Sequence, residues 1–508
     1  MQSPTDVGLP FEKWRPGQQE MVSAAISNHS LLIIEAPTGL GKSANPGASA
    51  YFQPTIVMVA TRELQQQYAS SFHFLPIVWG QEHYACILPS FVSYWREAYG
   101  ETPTRLDCPY ERPSDCTLAD DCPYEKAKHF AMEKQRLVTN YAYAFWTEWW
   151  RSISEIPPHL YLDEAHMIPD TICGLLTFSI QLSTIRKYKL DDPPFLAGSN
   201  PDVVHDAARW CEEAASQLER CLESCSEREQ KTVKRRVQSL SFLAEHLSEA
   251  GEDEWYILSG ISHDGFQAKP CVLLPEITRR IMPPDWPTVL MSATIGNPQA
   301  LLAELGFPDV PFEFRTFPHP FARESRPVIF IKNSPPLSKH STPRDYEAQA
   351  WLIQRILQNH PGQRGIIHTA SWFHAEDLAK RLSVHFPNRI FLPRGVDRVE
   401  AVAEFVNRGP DTVAISPSWS HGLDLHDDLA RFSIIAKVPF PNLGDPIVAT
   451  KLKRLGRAWY DWRAAISIVQ AAGRIVRHEQ DWGITYIVDG HWPRVKRFAP
   501  PWFEVNEI

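Results

Sequence analysis

The chain has 508 residues, 44% hydrophobic and 22% charged. That is a globular composition, and at roughly 150 residues per domain the length gives three or four domains. Disordered and fibrous architectures are excluded, and no run of 18 uncharged apolar residues reads as a spanning helix. The opening MQSPTDVGLP has neither a basic n-region nor an apolar h-region, so a cytoplasmic or nucleoid-associated protein with no membrane partner is expected. The net charge of −9 excludes a globally basic field, so any nucleic acid must be held by local patches. Nine cysteines are too few for a disulfide scaffold of this size, which leaves free thiols or metal ligands.

In chain order, Leu31–Glu35, Thr55–Ala60, Arg136–Asn140 and Leu160–Leu162 are short apolar runs separated by helical patterns. Such runs read as a parallel sheet covered on both faces. Residues 86–122 interrupt the rhythm with four cysteines, and from about 169 to 285 the pattern turns helical and charged. The α/β rhythm returns at Pro287–Thr294 and continues through Val328–Lys332, Gly365–Thr369, Thr412–Ser416, Ile434–Val438 and Gly483–Val488, with a Pro-rich linker near 311–327. The expected fold is therefore two α/β lobes with two insertions in the first.

Ala36-Pro37-Thr38-Gly39-Leu40-Gly41-Lys42-Ser43 follows a strand and opens a helix, the context of a phosphate-binding loop. Gly39 and Gly41 let backbone N–H groups close on phosphate oxygens, Lys42 reaches the β- and γ-phosphates, and Ser43 ligates Mg²⁺. Pro46 and Gly47 fall inside the following helix, which should therefore be short or kinked. At 121 residues beyond Lys42, Asp163-Glu164-Ala165-His166 ends a short strand. Asp163 is expected to hold Mg²⁺ through water, Glu164 to polarise the attacking water, and His166 to face the second lobe. Gln470-Ala471-Ala472-Gly473-Arg474-Ile475-Val476-Arg477 carries two arginines that share a face if the segment is helical. Arg477 is the favoured arginine finger, against the plainer reading of a solvated basic helix end.

This set resembles superfamily 2 helicases of the XPD/DinG type, from about residue 11 to 490. Arg15-Pro16-Gly17-Gln18 resembles the adenine-side motif, with Gln18 as reader. Glu35–Ser43 resembles motif I, Asp163–His166 motif II, Ser292-Ala293-Thr294 motif III, His421-Gly422-Leu423-Asp424 motif V and Gln470–Arg477 motif VI. Thr61-Arg62-Glu63-Leu64-Gln65-Gln66-Gln67 resembles motif Ia, which contacts the nucleic-acid backbone, and Val438–Asn442 resembles a further family signature. The resemblance implies two RecA-like lobes divided as 1–85, 124–168 and 286–310 for the first and 311–508 for the second. A cluster insertion at 86–123 and a helical arch-like insertion at 169–285 complete it. It also implies an ATP site of Arg15, Gln18, Thr38, Gly39, Gly41, Lys42, Ser43, Asp163, Gly422 and Asp424, with Lys42, Asp163, Glu164, Gln470, Arg474 and Arg477 in catalysis. Thr61, Gln67 and Tyr84 are the expected nucleic-acid contacts.

Cys86, Cys108, Cys116 and Cys122 are separated by 21, 7 and 5 residues, without the close pairs of a zinc finger. Four thiolates on one loop-rich insertion fit a [4Fe–4S] cluster, with structural zinc and four unliganded thiols as alternatives. The resemblance implies the cluster, although Gln81 and Glu82 stand where relatives carry a basic residue. Cys221 and Cys225 lack nearby ligand partners and are read as unliganded. Lys231–Arg236 reads as a solvated face or a phosphate contact, and Tyr141–Trp150 as core or as base-stacking rings. The activity implied is an ATP- and Mg²⁺-dependent 5′→3′ helicase on single-stranded and forked DNA. The alternative is a DNA-stimulated ATPase or translocase subunit of a larger repair, transcription or CRISPR-associated assembly, without unwinding of its own.

Overall fold

Runs of five apolar residues bounded by turns can be buried on both faces only in a sheet sandwiched by helices, and the computed structural model places them so. It describes residues 3–110, 113–419, 425 and 427–508. The first sheet is wholly parallel, in the order Glu313–Thr316, Leu31–Glu35, Thr288–Ser292, His159–Asp163, Thr55–Val59, Arg136–Asn140. The second is also parallel, in the order Ile390–Phe391, Val413–Ser416, Gly365–His368, Phe432–Ile435, Ile484–Ile487, Val328–Phe330, Val505–Glu507. The chain is thus α/β with two parallel-sheet lobes. No helix among the described residues is long and apolar enough to cross a membrane.

Two features differ from the sequence reading. Glu313–Thr316 pairs in parallel with Leu32–Glu35, so the first sheet reaches past residue 310 before the chain crosses to the second lobe. Residues 169–285 are not purely helical. An antiparallel sheet of Phe178–Gln181, Gly265–Pro270, Trp255–Gly260 and Leu196–Gly198 supports the helical hairpin Pro201–Cys221 and Glu227–Ser248. The inward side chains alternate along Trp255–Gly260 and Gly265–Pro270, as a strand period of two requires.

The lobes share a core. The long helix Pro446–Ala472, broken at Gly456 by a φ of 77°, buries Trp459, Trp462, Ile466 and Val469 in one cluster with Leu160, Leu162, Ile168 and Leu301 of the first lobe. Beside it, Lys451 ion-pairs with Glu304 at 2.8 Å, with side chains only 7% and 1% exposed. Arg463 adds an ion pair to Asp170. The helix therefore carries the second lobe's Gln470 to the first lobe on a buried apolar and ionic seat.

Candidate nucleotide site between the lobes

Three adjacent parallel strands, Leu31–Glu35, Thr288–Ser292 and His159–Asp163, end on the same edge of the first sheet. In open α/β sheets, ligands bind at the carboxyl ends of strands. The loop after the first strand is the glycine-rich one, with Gly39 at φ 90° and Gly41 at φ 83°. These left-handed values suit glycine and turn backbone N–H groups inward. A methyl on Gly39 would also run into the Phe321 ring, which belongs to a core cluster of the second lobe. Lys42 Nζ lies 3.2 Å from the Ala36 carbonyl, folded over its own loop. Ser43 caps the helix Ala44–Phe52. Pro46 sits in the first turn of that helix, where its missing N–H is not needed, so no kink follows. Gly47 is required for packing, because a side chain there would come within 2.7 Å of Phe72. Of the residues expected on the adenine side, the Arg15 guanidinium donates to the Gly39 carbonyl, and Gln18 Nε2 reaches the Gly41 carbonyl at 3.4 Å. Both expected base-side residues thus rest against the phosphate loop; Thr38 is half-buried on it.

Asp163 is 6% exposed. Tyr68 donates to its Oδ2 at 3.0 Å, the Glu164 N–H donates to Oδ1 at 2.9 Å, and Tyr141 donates to its carbonyl at 2.6 Å. Burial, followed by the neighbouring Glu164 charge, pushes the Asp163 carboxyl up to about 6, against the pull of Lys42 and Tyr68. A divalent cation held jointly with Ser43 would supply the missing positive charge. Glu164 takes φ 53°, an uncommon left-handed conformation for a non-glycine residue.

From Glu164 a polar chain runs to the second lobe. Gln470 Nε2 lies 2.5 Å from His166 Nε2, His166 Nδ1 lies 2.7 Å from Ser292 Oγ, and Ser292 Oγ lies 3.4 Å from Glu164 Oε2. The amide has only hydrogens to offer on that nitrogen, so His166 accepts at Nε2 and donates from Nδ1. Ser292 is then free to donate to the carboxylate. Gln470 also reaches Thr294 Oγ1 at 3.3 Å. His166 therefore does face the second lobe, and residues of the expected motifs II, III and VI meet in one hydrogen-bonded line.

Two groups in this seam have no role assigned to them by the sequence reading. Glu35, 0% exposed, accepts from the Ile295 N–H at 2.7 Å and the Gly296 N–H at 2.5 Å, and burial pushes its carboxyl up to about 7. Trp462 donates from the long helix to the Ile295 carbonyl at 2.6 Å. The turn after Thr294 is thus held by the strand that feeds the phosphate loop and by the helix that carries Gln470.

Elsewhere the structure departs from the sequence reading at the arginine pair. The helix bearing Gln470 ends at Ala472, so Arg474 and Arg477 do not share a helix face; they flank the buried Ile475 and Val476 in an irregular segment. Gly422 and Asp424, with His421 and Leu423, lie outside the described residues. Thr61 caps the helix Arg62–Ser71 and accepts from the Leu64 N–H at 3.3 Å, while Gln67 is exposed. Tyr84 is turned inward, its hydroxyl accepting from the Trp79 N–H at 3.1 Å and its ring set edge-on to Tyr124. Most of Tyr141–Trp150 is core: Tyr141, Tyr143, Phe145 and Trp150 are buried, and only Trp146 stands half out. The basic run is not a solvated face throughout. Lys231 donates to the Asp107 carbonyl and Arg235 to the Leu106 carbonyl at 3.3 Å, tying the helical hairpin to the cysteine insertion.

The four cysteines converge. Cys86, Cys108, Cys116 and Cys122 line one recess of about 420 Å³, open to solvent, beside Arg105 and Glu125. Burial raises the Cys86 thiol, the Leu88 N–H opposes it, and the other three thiols add smaller upward pushes. Among the described residues, the only three or more His, Cys, Asp or Glu ligand atoms within 4.8 Å of one another belong to Asp427, His478 and Asp481.

Residues 353–504 match the helicase C-terminal domain family. A solved XPD helicase superposes with a TM-score of 0.61 at 14% identity, over 97% of this chain and 98% of that one. The chain shares the fold of the XPD helicases. Xpd4 of S. tokodaii gives a TM-score of 0.58 at 15% identity, over 97% and 99% of the two chains. A regulator of telomere elongation helicase 1 homolog from Culex quinquefasciatus is 35% identical over 99 residues, 17% of this chain and 10% of that protein. A Fanconi anemia group J protein homolog from Gallus gallus is 38% identical over 81 residues, 14% of this chain and 6% of that protein. The matched stretches thus span about a tenth or less of these relatives' length. At such identities the structural likeness speaks for the helicase fold.

Proposed function

We propose that this protein is an ATP-driven 5′→3′ DNA helicase that moves along single-stranded DNA and opens duplex ahead of it. The observation that carries the reading is the hydrogen-bonded line Glu164–Ser292–His166–Gln470, which joins the water-activating end of the first lobe to the second lobe. Lys42 and Ser43 bind the phosphates and their Mg²⁺ with Asp163, and Arg15 and Gln18 face the base. Glu164 orients the attacking water, and Arg474 and Arg477 approach from the second lobe to offset charge on the transferring phosphoryl group. Hydrolysis and phosphate release change the ligand between the two sides, and the Gln470–His166 contact carries that change across the seam. The lobes then alternate their grip on the strand near Thr61 and Gln67.

A [4Fe–4S] cluster held by Cys86, Cys108, Cys116 and Cys122 accompanies this reading. The convergence of the four cysteines on one recess supports it. The cluster would pin loops that have little regular structure of their own.

The experiment is strand displacement on duplexes with a 5′ or a 3′ single-stranded tail. Displacement confined to the 5′-tailed substrate is expected. ATP turnover stimulated by single-stranded DNA without displacement would point instead to a translocating subunit of a larger assembly. Displacement confined to the 3′-tailed substrate would overturn the polarity.

A further inference from the structure

The helix that carries Gln470 stops at Ala472, so nothing helical fixes Arg477. A carboxylate instead ties down its segment. Asp481, 1% exposed, accepts from the Arg477 N–H at 3.1 Å through Oδ2. Its Oδ1 accepts from the Asp427 N–H at 3.2 Å, the Trp482 N–H at 2.8 Å and the Arg431 guanidinium at 2.9 Å. The Asp481 N–H closes the turn on the His478 carbonyl at 3.0 Å. Asp427, at φ 55°, is held in turn by His478 Nε2 at 3.0 Å. These three side chains could be mistaken for a cation site, but Asp481 already accepts from four donors, one of them a guanidinium whose side chain is 13% exposed. A cation there would compete with an arginine.

We infer that Asp481 is a positioning residue for Arg477: its buried carboxylate anchors the backbone of the finger segment and joins it to the stretch that begins at Asp427. Arg431 supplies the counter-charge to this buried carboxylate, which accepts four bonds. Ile475 and Val476 complete the anchor from the apolar side, packed in the cluster that holds Phe321. Gly483 lets the return strand lie against Ile475, since a side chain there would come within 2.8 Å of it. The inference rests on the reading of Arg477 as the finger.

The test compares the intact chain with Asp481→Asn, Arg477→Ala and the double variant, using ADP and ADP with aluminium fluoride. The fluoride complex mimics the transferring phosphoryl group and draws on the finger, whereas ADP alone does not. Asparagine can accept on one side only, so the Arg477 N–H or the Arg431 fork loses its partner. A misplacement of about 1 Å can cost roughly 10²-fold in rate. The expected result is a kcat loss of that order in Asp481→Asn, with ADP affinity kept and the fluoride-dependent tightening lost. The double variant should be no worse than Arg477→Ala alone. Retained tightening in a folded Asp481→Asn that binds ADP would overturn the inference, as would losses that multiply in the double variant. Full tightening in Arg477→Ala would instead refute the finger reading itself. If Asp481→Asn does not fold, His478→Ala on the exposed outer link decides: a smaller loss of tightening supports the anchor, and none overturns it.

Discussion

The buried carboxyl of Glu35 gives a prediction whose size follows from the structure. Glu35 ends the strand that feeds the phosphate loop, is 0% exposed, and holds the Ile295 and Gly296 amides. Burial raises its pKa from 4.5 to about 7. Between those values the folded chain keeps a proton that the unfolded chain has released. By linkage, stability is then lost as pH rises from about 4.5 to 7. Each pKa unit is worth 1.36 kcal/mol, so the full excursion is about 3 kcal/mol. Glu35→Gln keeps an acceptor for the two amides but cannot ionise. Urea unfolding of both proteins at a series of pH values should therefore give a difference curve, wild type minus variant, that falls by up to about 3 kcal/mol across that window. Subtraction removes the groups common to both. A flat difference curve would refute the reasoning and place Glu35 in a wetter or better-paired environment.

Other expectations are simpler. Lys42→Ala should abolish ATP turnover at unchanged fold, measured as phosphate release. Cys108→Ser should lose the brown colour and iron of anaerobically purified protein; an unchanged visible spectrum would remove the cluster assignment. Lys451→Met leaves Glu304, 1% exposed, without its nearest counter-ion, and Arg463 at 4.0 Å compensates only in part. A loss of about 3 kcal/mol in unfolding free energy is expected, with most of it recovered by adding Glu304→Gln.

Much of this was legible because parallel sheets announce themselves. Leu31–Glu35, Thr55–Val59 and Thr288–Ser292 are buried at every position, so each appears in the sequence as an unbroken apolar run. Glu313–Thr316 is an edge strand with no buried residue, and its letters EFRT look like linker. The longer strands of the 169–285 insertion do alternate, but all four are pieces of three to six residues beside two helices of 21 and 22 residues that dominate the pattern.

The phosphate loop and Asp163–His166 were legible because their chemistry is local in the chain. Glu35 meets its amides 260 residues away, and Asp481 does its work by bonds to the backbone, which no spacing encodes. The arginine pair misled for the opposite reason. Three-residue spacing suggests a helix, but Gly473 sits at the helix end and the chain leaves it there.

The central claim is that a nucleoside triphosphate held between the phosphate loop and the second lobe powers movement along a DNA strand. Its most direct test is release of inorganic phosphate from ATP and Mg²⁺ with and without single-stranded DNA, in the wild type and in Gln470→Ala. The account predicts strong stimulation by the strand in the wild type and loss of that stimulation in the variant. Turnover that ignores DNA in the wild type, or stimulation that survives when the Gln470–His166 contact is removed, would contradict it.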